Sequence, residues 1–188
     1  MIIAMRVDGE ATRARILLAA GREFAEFGLA GARVDRIAAA ANASKERLYA
    51  YFGDKRALFV AVLTSHMAEV TASMPVDSGN LVGLVGHIFD FATVHPEHFR
   101  MMDWARLGGD LDLLPAIPAE VIERDAGAIR EAQSRGLVDP GWEPADLFAL
   151  LFSIALSQAS PVVHFTTADD TARRRAVAMR AAGKLIAP

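Results

Sequence analysis

Between Val34 and Phe52 the chain reads VDRIAAAANASKERLYAYF, and this stretch restricts the fold more than any other. Its apolar residues have the three-and-four spacing of two short helices, joined by a three-residue turn. Helices so closely connected must cross at close range, and only certain residues allow that. Ile37 is an aliphatic anchor, Ala38 a small residue at the crossing, and Ala41 a second small residue one turn on. Asn42 stands where the turn requires positive φ, a region asparagine tolerates better than most residues, and Leu48 anchors the second helix. Five matches at the right positions predict a helix-turn-helix.

The surrounding sequence is helical throughout. Of its 188 residues 53% are apolar, with alanine and leucine dominant, and Gly and Pro fall between periodic runs. The pattern predicts about nine helices, near residues 12–27, 34–41, 44–52, 55–74, 81–95, 96–108, 119–135, 145–160 and 168–186, and no strand. Gly28 is placed to end the first, Ser44 and Asp54 to cap the third and fourth, and Thr167–Asp170 (TADD) resembles a capping box before the last. Cysteine is absent, which excludes disulfides and thiolate-held metals. The N-terminus lacks the apolar core of a secretory signal, and the longest apolar run, Leu147–Leu156, is too short for a bilayer span of about 20 residues. A soluble, cytoplasmic protein with no membrane partner is expected.

Rotation at about 100° per residue sorts the third helix. Leu48 and Phe52 share a face and are expected in the core, whereas Glu46 and Ala50 lie nearly opposite. Lys45 and Tyr49 flank that outer face on one side, Arg47 and Tyr51 on the other. An outward face of Lys, Glu, Arg and Tyr around a small alanine suits a helix that enters a DNA groove. Arg47 can pair bidentately with guanine and Glu46 can accept from a cytosine amine, while Ala50 allows close approach. Lys45, Tyr49, Tyr51 and Lys55 are placed for phosphates. Charge is divided to match: the first 60 residues carry a net of +3 and the remainder −6, and binding follows local potential, not total charge.

The block GREFAEFGLAGARVDRIAAAANASKERLYAYFGDKRALF, with the helix before it, resembles the DNA-binding domain of TetR-type transcriptional regulators over about residues 12–60. The resemblance implies an all-α homodimer on a palindromic double-stranded operator. It also implies a divergent C-terminal domain that binds a small effector and releases the DNA. Residues 1–55 are then the helix-turn-helix domain, with residues 1–10 a flexible arm, and residues 56–188 the ligand-binding and dimerisation domain. The family pattern puts phosphate contacts at Ser44, Tyr49, Tyr51 and Lys55, and base reading within residues 45–50. The chain departs from the pattern where Ala32 replaces the usual capping threonine, a phosphate contact that Arg33 can take over although it cannot supply the cap. Ala43 replaces the turn valine, Glu46-Arg47 a common Gly-Thr pair, and Ala50 a common histidine. These departures bear on the operator, not on the fold.

Beyond residue 75, Phe89, Phe99, Met102, Trp104, Leu107, Phe148, Leu151 and Phe152 are candidates to line an apolar effector pocket, although aromatics and methionines at helical spacing also describe an ordinary core. Few charges interrupt these stripes, so an apolar or aromatic effector is favoured. His95 and His98 flank Pro96-Glu97, where capping or solvent exposure is the simpler reading than a metal site, so no metal or cofactor is expected. Ser157 and His164 lack an acid and an oxyanion turn, and no enzyme is read there. Arg173-Arg174-Arg175 reads as a solvated face, or as partners for acids of another chain. The last two helices, about 145–160 and 168–186, are expected to form a four-helix bundle across a two-fold axis. Two readings of other classes stay open: a helical interaction module whose DNA face has decayed, and an enzyme using the C-terminal cavity.

Overall fold

Helix α1 (Ile2–Gly31) opens the chain. The computed structural model describes residues 2–160 and 170–188, with the backbone alone for residues 2–8. A flexible arm over residues 1–10 was expected, but the backbone is helical from Ile2 onward. Only Gly9 weakens that segment, by about 1 kcal/mol relative to alanine, and a helix nucleated downstream extends through it. Gly28 does break the regular helix as expected, at φ 66°, ψ −179°, after which the chain turns helically once more to Gly31.

Helices α2 (Val34–Ala40), α3 (Lys45–Phe52) and α4 (Lys55–Ser73) follow at the positions that the periodicity predicts. Ser44 accepts from the Arg47 amide at 3.2 Å and Asp54 from the Ala57 amide at 2.7 Å, so both expected caps form. Helices α5 (Leu81–Val94), α6 (Pro96–Gly108), α7 (Ala119–Ser134), α8 (Pro144–Ala159) and α9 (Thr171–Leu185) complete a chain with no strand among the described residues. A 3-10 turn at Leu111–Leu113 was not anticipated. Helix α9 begins after Asp170, whose carboxylate accepts from the Arg173 amide at 2.9 Å. The rest of the expected capping box, Thr167–Asp169, and His164 lie outside the described residues.

Packing divides the chain into two units, Met1–Glu69 with Glu97–Ala116, and Val70–Pro96 with Ile117–Pro188. The division differs from the boundary expected at residues 55/56, because most of α4 and all but the first residue of α6 belong with the helix-turn-helix. Met101 and Ala105, four apart on one face of α6, are buried in the same core as Phe24, Ile37, Leu48, Leu58 and Phe59. Trp104 lies on that helix too, and its indole N–H donates to the Ala25 carbonyl at 3.1 Å. Arg56 of α4 reaches Asp110 at 3.2 Å and Asp112 at 3.0 Å. His98, expected at a cap or in solvent, is only 5% exposed. Its ring stacks on His66 with centroids 3.8 Å apart, and its Nε2 lies 3.0 Å from Glu69.

In the second unit α5 packs against α8 and α9, burying Leu81, Leu84, Val85, Ile88 and Phe89. Helix α8 contributes Leu147, Leu151 and Ala155, and α9 contributes Ala178 and Ala182. The arginine run at 173–175 is not simply solvated: Arg174 donates to the Gln158 carbonyl at the end of α8 at 2.7 Å. Arg175 pairs with Asp90 of its own chain at 2.8 Å. Both acceptors lie far away in sequence, so spacing alone did not reveal them.

Candidate nucleic-acid interface

The turn between α2 and α3 shows how this sequence builds the motif. Asn42 adopts φ 49°, the left-handed conformation the turn requires. The Asn42 amide donates to the Ala39 carbonyl at 3.1 Å and the Ala43 amide to the Ala38 carbonyl at 3.0 Å, the two bonds of a Schellman cap. Arg15 of α1 donates to the Ala41 carbonyl at 3.2 Å and satisfies another orphan acceptor at the same helix end. The alanines at 38, 39 and 43, with Asn42, Ser44 and Arg47, line an open hollow of about 460 Å³ at the turn.

Ala32 supplies no cap to α2, and the structure compensates from a distance. The carboxylate of Glu23, nearly buried, accepts from the Arg33 amide at 2.8 Å. It also pairs with the Arg36 guanidinium, Nη2 lying 2.5 Å away and Nε 2.8 Å. Arg36 in turn stacks over Phe27, its guanidinium carbon 4.2 Å from the ring centroid. Burial pushes the Glu23 carboxyl up, but the Arg36 hydrogen bond and the Arg33 amide outweigh burial and hold it below its ordinary value. A lowered carboxylate contributes stability that is fully present above its unfolded pKa, near about 4, and is lost as pH falls below that value through the lower folded-state pKa. Glu23→Gln is therefore expected to lower stability by about 2 kcal/mol at neutral pH. The difference should shrink as the solution is acidified. Urea unfolding at pH 7 and pH 3.5 tests this, and parallel pH dependences in the two proteins would refute it.

On α3, Leu48 is fully buried and Phe52 is 8% exposed, whereas Tyr49 is 43% and Tyr51 38% exposed. Lys45, Glu46, Arg47 and Ala50 are also exposed, so the helix turns its predicted outer face to solvent. The outward side chains are not equivalent. Glu46 is engaged at the start of its own helix, where its own amide and the Ser44 hydroxyl hold the carboxyl below its ordinary value. Lys45 is paired with Asp35 of α2 at 2.5 Å. The ammonium of Lys55 donates to the Ala30 and Ala32 carbonyls at 3.3 and 3.2 Å, which ties the start of α4 to the segment leading into α2. Arg33 extends its exposed side chain toward Asp35, 3.9 Å away. The Tyr51 hydroxyl lies beside Gly9 of α1. Among the described residues the guanidinium of Arg47 makes no hydrogen bond or ion pair, so within α3 the bidentate donor best suited to a guanine edge is the cation without a described partner. Sequence reasoning missed Glu23, Asp35 and Arg15, whose partners lie 10 to 26 residues away.

The eight residues expected to line a pocket fall in both packing units. Phe89 and Leu151 are buried in the second core, where Phe148 and Phe152 are half-buried with ring centroids 6.2 Å apart. Phe99, Met102, Trp104 and Leu107 are on α6 in the first unit, and Leu107 is 70% exposed.

Residues 16–62 match the family described as bacterial regulatory proteins, tetR family, and residues 80–184 match the tetracyclin repressor-like C-terminal domain. The chain is 41% identical over 150 residues to the HTH-type transcriptional repressor SCO4008 of Streptomyces coelicolor, covering 79% of this chain and 78% of that protein. It is 29% identical over 142 residues to the HTH-type transcriptional repressor NicS of Pseudomonas putida, covering 69% of this chain and 67% of the other. A crystal structure assigned as a transcriptional regulator, SCO4942 of Streptomyces coelicolor, superposes with a TM-score of 0.76 at 35% identity, over 93% of this chain and 98% of that one. With a helix-turn-helix of this geometry and matches along both parts of its length, the chain belongs to the tetR family of DNA-binding transcriptional regulators.

Proposed function

We propose that the protein is a ligand-responsive repressor that binds a palindromic operator as a homodimer. The observation that carries the reading is α3, whose aliphatic face is buried while the unpartnered Arg47 and two tyrosines face outward. Arg47 reads a base edge. Ser44, Tyr49, Tyr51 and Arg33 fix the helix on the phosphates, and Ala50 permits close approach. Two such helices enter successive major grooves about 34 Å apart, which a two-fold dimer provides. The dimer forms through α8 and α9, each with one face in its own core and large apolar residues left outside, Leu150 on α8 and Val177 on α9. Among the described residues, no helix is long and apolar enough to cross a membrane.

The effector is apolar or aromatic and binds within residues 56–188, with the half-buried Phe148 and Phe152 as its first contacts. Its binding tilts the helix that begins at Lys55 and misplaces the readers. A hundredfold loss of DNA affinity requires about 2.7 kcal/mol of coupling, within the usual range for one site. A regulator is preferred to an enzyme because relatives covering most of the chain are named as repressors.

The test is selection of sheared genomic DNA from the source organism on the purified protein at two salt concentrations, with the mass of the free protein measured in solution. An inverted repeat held more weakly at high salt, by a protein of twice the chain mass, is the expected result. Fragments without a shared sequence would refute operator recognition. A monomeric mass at micromolar concentration would refute the α8–α9 dimer.

A further inference from the structure

Lys45 is the first residue of α3 and points its ammonium not outward but across the motif. It meets the carboxylate of Asp35, in the first turn of α2, at 2.5 Å. Both side chains are about half exposed, so the pair is formed at the surface and not enforced by burial. The Lys45 hydrogen bond lowers the pKa of Asp35, and the Asp35 hydrogen bond raises that of Lys45, so both stay charged. Glu46, beside Lys45, is engaged at the helix start and attracts the ammonium more weakly than Asp35 does. Arg33 is the other cation within reach of Asp35, at 3.9 Å, beyond hydrogen-bonding distance.

An exposed ion pair is weak and exchanges readily for a better anion. A phosphate reaches Lys45 only if it comes close enough to compete with a carboxylate already in place, and it is repelled by that carboxylate until the lysine moves. Loosely held complexes, which depend almost wholly on phosphate contacts, gain nothing from a lysine so occupied. A complex drawn in by Arg47 on a base edge brings the backbone nearer. We propose that Asp35 is a specificity-determining residue, which withholds Lys45 from the DNA backbone in non-specific complexes and yields it only when α3 is seated in its site. The inference rests on the DNA-binding reading above.

The experiment measures binding of the full-length protein and its variants to two duplexes across a range of salt. One has random sequence, and the other is the tightest sequence the wild type recovers from a randomised pool. Asp35→Asn is expected to tighten binding to random duplex by a factor of up to about five. Its dependence on log salt should steepen by about 0.9, the value of one added phosphate contact. The gain on the selected duplex should be smaller, so that discrimination falls. In a Lys45→Met background the effect of Asp35→Asn should disappear, and in an Arg33→Met background it should persist. A full effect in the Lys45→Met background would mean that only a negative charge had been removed, and would overturn the proposal. Equal gains on both duplexes, or no gain on random duplex, would overturn it as well. Failure of the wild type to bind either duplex at low salt would instead fell the DNA-binding reading itself.

Discussion

Gly28→Ala is expected to lower stability by about 3 kcal/mol, from about 1–3 kcal/mol of backbone strain and a comparable overpacking penalty. At φ 66° and ψ −179° the backbone of Gly28 lies in a region that is essentially closed to residues with a side chain. A Cβ there would stand 2.9 Å from two carbons of the Trp104 indole, a large rigid ring. Moving the ring would also sever its hydrogen bond to the Ala25 carbonyl. Urea unfolding of Gly28→Ala, Trp104→Ala and the double variant separates the two sources. The strain should survive in the double variant and the overpacking should not. A loss under about 1 kcal/mol for Gly28→Ala would show that the bend tolerates a side chain.

Arg47→Ala is expected to weaken binding to the best DNA sequence by ten- to about a hundredfold, because a bidentate arginine–guanine pair is worth about 1–3 kcal/mol of discrimination. Its signature is a change of preference and not merely of affinity: one position of each half-site should lose its bias in a selection from randomised duplex. Lys55→Ala provides the contrast, since a phosphate-facing or positioning lysine should weaken all sequences alike. Unchanged preferences in Arg47→Ala would move the reading role to another residue of α3.

Legibility differed between the parts of the chain for physical reasons. The helices, the left-handed Asn42, the Ser44 and Asp54 caps, and the orientation of α3 depend on neighbours within a few residues. Periodicity and capping chemistry therefore expose them directly. The charge asymmetry and the family resemblance were visible for the same reason, as properties of a contiguous stretch. An arm was expected over the first ten residues, whereas the backbone is helical from Ile2, continuous with the helix behind it. His98 was misread because a short His-Pro-Glu-His segment gives no sign of the ring of His66 that covers it.

The amino-acid sequence was enough to predict an all-α chain with a helix-turn-helix whose second helix covers residues 45–52, with its anchors at Ile37 and Leu48. Which partners the charged side chains of that helix, and Lys55 at the start of α4, find within the chain was decided by packing in three dimensions. Arg47, Lys45, Lys55 and Glu46 look alike in sequence as exposed charges. Among the described residues, folding leaves the first without a partner, pairs the second with Asp35, sets the third on two carbonyls and engages the fourth at a helix end. The supply of a missing cap from Glu23, and the capture of α6 by the first unit through Met101, Ala105 and Trp104, were decided in the same way. Local backbone preferences act over three or four residues and can be read along the chain. Charge pairing and core packing act through space between segments whose separation in sequence carries no signal.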